Sequence, residues 1–155
     1  MVLLQSNRSA RGLFAKMVKN AKRRSTTRNA GCFICRLYAH NLCATSITAK
    51  FISEATGLKI EKLLTGEHGG EQQITSRLAY NEIDLLLNFR DTRSSSSYNE
   101  EEAEMMRICD LYNIPVATNI ATAEILVQAL DRGDLNWREV YNPRSEYNRK
   151  KNGLI

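Results

Sequence analysis

Residues 83–89 read IDLLLNF, an apolar run far shorter than a membrane span. A half-exposed strand alternates apolar with polar. A run without alternation suits a strand buried on both faces, as in parallel sheets covered by helices. The neighbouring segments fit that architecture. Residues 32–39 (CFICRLYA) and 41–45 (NLCAT) are strand-like, and 58–64 (LKIEKLL) is a short alternating strand. Residues 114–119 (IPVATN) predict a strand beginning at Pro115, where the missing N–H is tolerated. Helical segments lie between the strands: 46–57, closed by Gly57; 71–81; 100–113; and 121–133, with Thr122 near its start and Gly133 at its end. In 100–113 the acids crowd the first turn, where the helix dipole favours them, and Ala103, Met106, Ile108, Leu111 and Tyr112 are the expected core contacts. This alternation predicts a single doubly wound, Rossmann-like α/β domain, its mostly parallel sheet flanked by helices.

Charge divides the chain. Ten of its 22 basic residues precede the first acid, Glu54. We therefore read 1–30 as a basic lead with no assignable element, 31–147 as the α/β domain and 148–155 as a polar tail, with everything from 137 onward loosely held. An acid-free lead suits an arm for nucleic acid or a membrane surface, an organelle transit segment, or a plain solvated face. It lacks the interleaved aromatics and motifs of a nucleic-acid binder, so nucleic acid is not an expected partner. No segment reads as a secretory signal or membrane span, and the expected location is the cytoplasm. Cys32 and Cys35 form a CxxC, but Cys43 and Cys109 do not supply the second pair a closed zinc site needs, and His40 and His68 stand alone. Reduced thiols are expected, with no metal or other cofactor.

In a doubly wound fold, ligands sit outside the carboxyl ends of the strands. The polar segments that follow the strands, 45–48, 65–71, 90–101 and 118–122, should converge there. The second of these lies in LLTGEHGGEQQ, residues 63–73. Thr65 and Gly66 offer a hydroxyl and an uncrowded N–H, and Gly69 and Gly70 let the backbone approach a ligand. Glu71 then opens a helix. Anion donors beside a potential base are what a phosphorylated substrate losing a carbon-bound proton requires. The plainer alternative is a strand–turn–helix corner with glycines for tight packing. Carboxylates of these segments, gathered in one crevice with Glu71, would raise one another's pKa, which suits a base working near neutrality.

These motifs, in this order, resemble those of the methylglyoxal synthase family. Its ATGTTG, SGPxGGDQQ, FFxDP and IPVATNxATA stretches correspond to ATSITA at 44–49, TGEHGGEQQ at 65–73, FRDT at 89–92 and IPVATNIATA at 114–123. The resemblance covers about residues 42–147. It implies a cytosolic homohexamer without metal or organic cofactor that converts dihydroxyacetone phosphate to methylglyoxal and inorganic phosphate. Carried over by position, Glu71 takes the place of the base. Asp91 matches the acid of the FFxDP motif, Glu101 replaces a second Asp in the loop after it, and Tyr98 occupies the place of a loop His. Thr45, Ser46, Thr48, Thr65 and Gly66 fall in the phosphate-holding motifs, with Arg23 where the family has an assisting Lys.

The departures fall where the chemistry is. Glu71 is one methylene longer than Asp, and Ile47 removes a hydroxyl. Lys19 and Asn20 do not match a His-Asp pair on the family's first strand. A second reading therefore stands beside the enzyme: a domain that binds a phosphorylated metabolite for regulation. The same fold serves that purpose in carbamoyl phosphate synthetase, and inosine monophosphate cyclohydrolase carries resembling domains.

Overall fold

The computed structural model describes residues 1–6, 36–37, 40–65, 68–89, 100–142 and 146–153. Five parallel strands form one sheet: β1 (Val2–Ser6), β2 (Leu42–Thr45), β3 (Glu61–Leu63), β4 (Leu85–Phe89) and β5 (Val116–Ala117), in the order β3-β2-β1-β4-β5. The connections run outward from β1 in both directions, so the order reverses between β1 and β4. The doubly wound expectation is met. Six helices accompany the described strands: α1 (Ser46–Thr56), α2 (Gly70–Ala79), α3 (Glu100–Leu111), α4 (Ile120–Asp131), α5 (Trp137–Tyr141) and α6 (Glu146–Lys151).

Side-chain alternation along the strands divides the core in two. Val2, Leu4, Leu42, Ala44, Leu85, Leu87 and Phe89 face Ala49 and Ile52 of α1 and Ala123 and Val127 of α4. Leu3, Cys43, Leu63 and Leu86 face Ile74 and Leu78 of α2 and Met105, Ile108 and Cys109 of α3. All five residues of β4 are buried, because helices cover both its faces. Cys43 and Cys109 are free thiols, and burial pushes both up to about 12. Such thiols are inert at neutral pH.

Four expectations need correction. The basic lead, left without elements, supplies the middle strand of the sheet through Val2–Ser6. Within 32–39, read as a strand, the described Arg36 and Leu37 are helical. Leu37 packs against Leu42 and Leu58 in the core, and β1 holds the ladder beside β2. In α3 the buried stripe is Met105, Ile108 and Cys109, the i, i+3, i+4 set. Of the five residues expected there only Ile108 belongs to it: Met106 is half-buried, and Ala103, Leu111 and Tyr112 are exposed. Finally, the region after 137 is not uniformly loose. Arg138 is 3% exposed, and its guanidinium donates to the carbonyls of Tyr112 and Asn113 and, at 2.9 Å, to Asn81 Oδ1.

Candidate active site

Parallel pairing puts the carboxyl ends of all five strands at one edge. Ser6 stands level with Phe89, and Thr45 with Leu63. The helices that follow β2, β3 and β4 therefore begin at that edge, with their unpaired N–H groups and positive dipole ends toward it.

After β2 the chain turns at Thr45 directly into α1. Thr45 makes no side-chain cap to the helix; its hydroxyl donates to Thr48 Oγ1 at 3.1 Å instead. The Thr45 side chain thus leaves the first turn of α1 uncapped, and two adjacent hydroxyls lie beside it. That is the arrangement an anion at a helix N-terminus uses. Ser46 is half-buried in the same turn, and Ile47 is 46% exposed where the family motif carries a hydroxyl.

After β3 the chain makes a tighter corner. Thr65 O accepts from the amides of His68 at 3.0 Å and Gly70 at 2.8 Å, and Leu64 N donates to Gln73 Oε1 at 2.9 Å. Gly69 has φ +85°, the left-handed region that glycine occupies without strain. Gly70 is required for a different reason: an added Cβ would lie 2.8 Å from the Thr65 carbonyl carbon and oxygen. The Thr65 hydroxyl is 2.6 Å from His68 Nδ1, so His68 serves the turn itself.

The corner delivers Glu71 into the first turn of α2. There it meets Glu101 from the first turn of α3, and a hydrogen bond links the two carboxyls. That bond, then burial, then the charges of Glu101 and Glu102, push the Glu71 carboxyl up to about 7. Glu101 also accepts a hydrogen bond from Gln72 Nε2 at 3.0 Å. The arrangement can hold and release one proton near neutrality next to anion-binding hydroxyls and amides.

Of the residues singled out in the sequence, the structure brings Glu71 to Glu101 and Thr45 to Thr48, and holds Thr65 in the glycine corner. Arg23, Gly66, Asp91 and Tyr98 lie outside the described residues. Gln72 and Gln73 had no role in the sequence reading. Their position directly after the base, in the first turn of a helix, was the available signal. Among the described residues no group of three His, Cys, Asp or Glu side chains is placed to hold a metal, and no helix is long and apolar enough to cross a membrane.

A family model described as "MGS-like domain" matches residues 34–118. A methylglyoxal synthase of Caldicellulosiruptor saccharolyticus is 49% identical over 113 residues, 73% of this chain and 80% of that protein. The methylglyoxal synthase of Clostridioides difficile is 44% identical over 110 residues, 71% of this chain and 80% of its own. The crystal structure of methylglyoxal synthase from Elizabethkingia anophelis superposes with a TM-score of 0.64 at 25% identity, covering 81% of this chain and 75% of that one. Sheet order, the glycine corner and the paired acids thus stand in a chain that belongs to the methylglyoxal synthase (MGS-like) family.

Proposed function

We propose that this protein is a phosphate-eliminating lyase that converts dihydroxyacetone phosphate to methylglyoxal and inorganic phosphate. The observation that carries the reading is the Glu71 carboxyl, held near 7 by its bond to Glu101 at the carboxyl edge of the sheet. A base whose pKa lies near the working pH is both substantially ionised and strong enough to take a carbon-bound proton.

In this reading the phosphate is held by Thr45, Ser46 and Thr48 with the first amides of α1, by Thr65 and Gly66, and by Arg23. Glu71 removes a proton from the hydroxymethyl carbon, and the C–H electrons move into an enediolate. Collapse of the enediolate breaks the C–O bond at the other end of the substrate and expels phosphate. The resulting enol takes up a proton and becomes methylglyoxal. Glu101 shares the Glu71 proton. Asp91 is the further acid of the site, and Tyr98 donates to the developing enediolate oxygen. A cytoplasmic location and a homohexamer belong to the same proposal. A domain that merely held a phosphorylated ligand would have no use for the raised Glu71 carboxyl, so the enzyme reading is preferred to the regulatory one.

Purified protein given dihydroxyacetone phosphate is expected to release methylglyoxal and phosphate in equal amounts. Glu71→Gln should lower turnover by about 10²–10⁴-fold, the usual contribution of a general base, while leaving phosphate affinity within a few-fold. Full turnover by Glu71→Gln would mean a different base. Phosphate binding without any turnover by the unaltered protein would return the regulatory reading.

A further inference from the structure

We infer that Gln72 is a positioning residue for the Glu71–Glu101 pair: its amide holds Glu101 as the acceptor and directs the shared proton to Glu71. The inference rests on the pair being the acid–base apparatus proposed above.

Gln72 follows Glu71 in the first turn of α2, and its Nε2 reaches across to Glu101 Oε1 at 3.0 Å. An amide nitrogen can only donate, and a carboxyl oxygen that accepts is favoured in its ionised form. Two carboxyls bonded to each other hold one proton between them. With the Gln72 donor committed to Glu101, the proton belongs on Glu71. The surroundings leave this donor conspicuous. Gln72, Thr75 and Ser76 of α2 and Glu100, Glu101 and Glu104 of α3 line an open groove of about 360 Å³. Among the described residues, the charge acting on Glu71 from beyond the pair is that of Glu102, with Glu100 and Glu104 along the groove. The two described cations of these helices are engaged elsewhere: Arg107 Nη2 binds Glu104 at 2.7 Å, and Arg77 Nη1 binds Glu61 at 3.0 Å. Among the described residues, the donor to Glu101 is therefore a neutral amide. An amide orders the pair without the charge that would pull both carboxyls down and leave Glu71 too weak a base.

Gln72 is exposed on its helix, and Met and Lys are both good helix formers, so the variants Gln72→Met and Gln72→Lys should fold. The pair is titrated by carboxyl-carbon NMR, with signals assigned through Glu71→Gln and Glu101→Gln, and the acidic limb of kcat/KM is followed alongside. In Gln72→Met the first proton should leave the pair about one pH unit higher, because the singly protonated state has lost its donor, and the remaining proton should spread over both carboxyls. In Gln72→Lys the last proton should leave lower. A Met variant that titrates like the unaltered protein would overturn the inference. If the last proton leaves lower in the NMR titration of Gln72→Lys while its turnover limb stays fixed, position 72 does order the pair and it is the assignment of Glu71 as base that fails.

Discussion

Glu71 ionises beside a second carboxyl, and this ties its chemistry to the stability of the chain. Unfolded, it would release its proton near 4.5, as an ordinary glutamate does; folded, it keeps the proton to about 7. A carboxyl whose folded pKa is raised favours the native state while both forms are protonated, and that contribution is lost as pH climbs from 4.5 through 7. Glu71→Gln removes the dependence. The variant should melt close to the unaltered protein at pH 4.5 and above it at pH 8. Because Glu71 is partly solvated, the gain is discounted to about 1 kcal/mol, or about 2–4 °C for a chain of this size. Thermal unfolding followed by circular dichroism at the two pH values checks it. An equal melting point at pH 8 would mean that the pair holds no strained charge. The carboxylate itself was legible in the sequence, since GGEQQ places an acid at a helix start. Its partner's support was not: Gln72 and Glu101 lie 29 residues apart, and only the packing of α2 on α3 joins them.

At the scale of elements, the corner between β3 and α2 shows how little room the site leaves. Gly70 is buried, and a methyl there would meet the Leu64 and Thr65 carbonyls, which are main chain and cannot rotate aside. Gly70→Ala should therefore push the Thr65 turn away from α2. The expected loss is about 1–3 kcal/mol in a denaturant titration, together with a raised KM for the phosphorylated substrate. An Ala variant with unchanged stability and KM would show that the corner tolerates displacement. Helices and strands of this half were legible because their signals are local. LLLNF is apolar but for Asn88, and Gly57 ends α1 in the left-handed region at φ +78°. In the buried stripe of α3, Met106 was read for Met105 and Cys109 was passed over. With two adjacent methionines at 105 and 106, the pattern alone does not fix which one faces Ile74 and Leu78.

For the whole molecule, the far edge of the sheet is clamped by Arg138. The exposed aromatics Trp137 and Tyr141 surround it, yet its guanidinium is buried among Tyr112 O, Asn113 O, Asn81 Oδ1 and Ile83 O, with Asp84 Oδ1 at 3.8 Å. Asn81 and Asn113, both at positive φ, end the two helices that carry Glu71 and Glu101 at their other ends. Arg138→Ala would leave several buried acceptors without their partner and take from Asp84 one of its two cations, the other being the Met1 ammonium. It should cost about 3–5 kcal/mol and on the order of 10 °C in melting temperature. A loss below 1 kcal/mol, measured by urea unfolding, would mean that the clamp is ornamental. The clamp was hidden in the sequence because a lone Arg in a polar segment looks solvated. The middle strand was hidden too: VLLQS is five residues beside a long basic stretch, and nothing local says that it pairs with Leu42 and with Leu85. That strand also sets a timetable for synthesis. Leu3 pairs with Cys43 on one side and Leu86 on the other, so its second neighbour is made 43 residues (86 − 43) after its first. At a ribosomal pace of about 5–20 residues per second, the strand waits roughly two to nine seconds with the N–H and C=O groups of one edge unpaired. During that interval a nascent chain presents to chaperones, or to its neighbours on the same message, the one surface that the finished protein never shows.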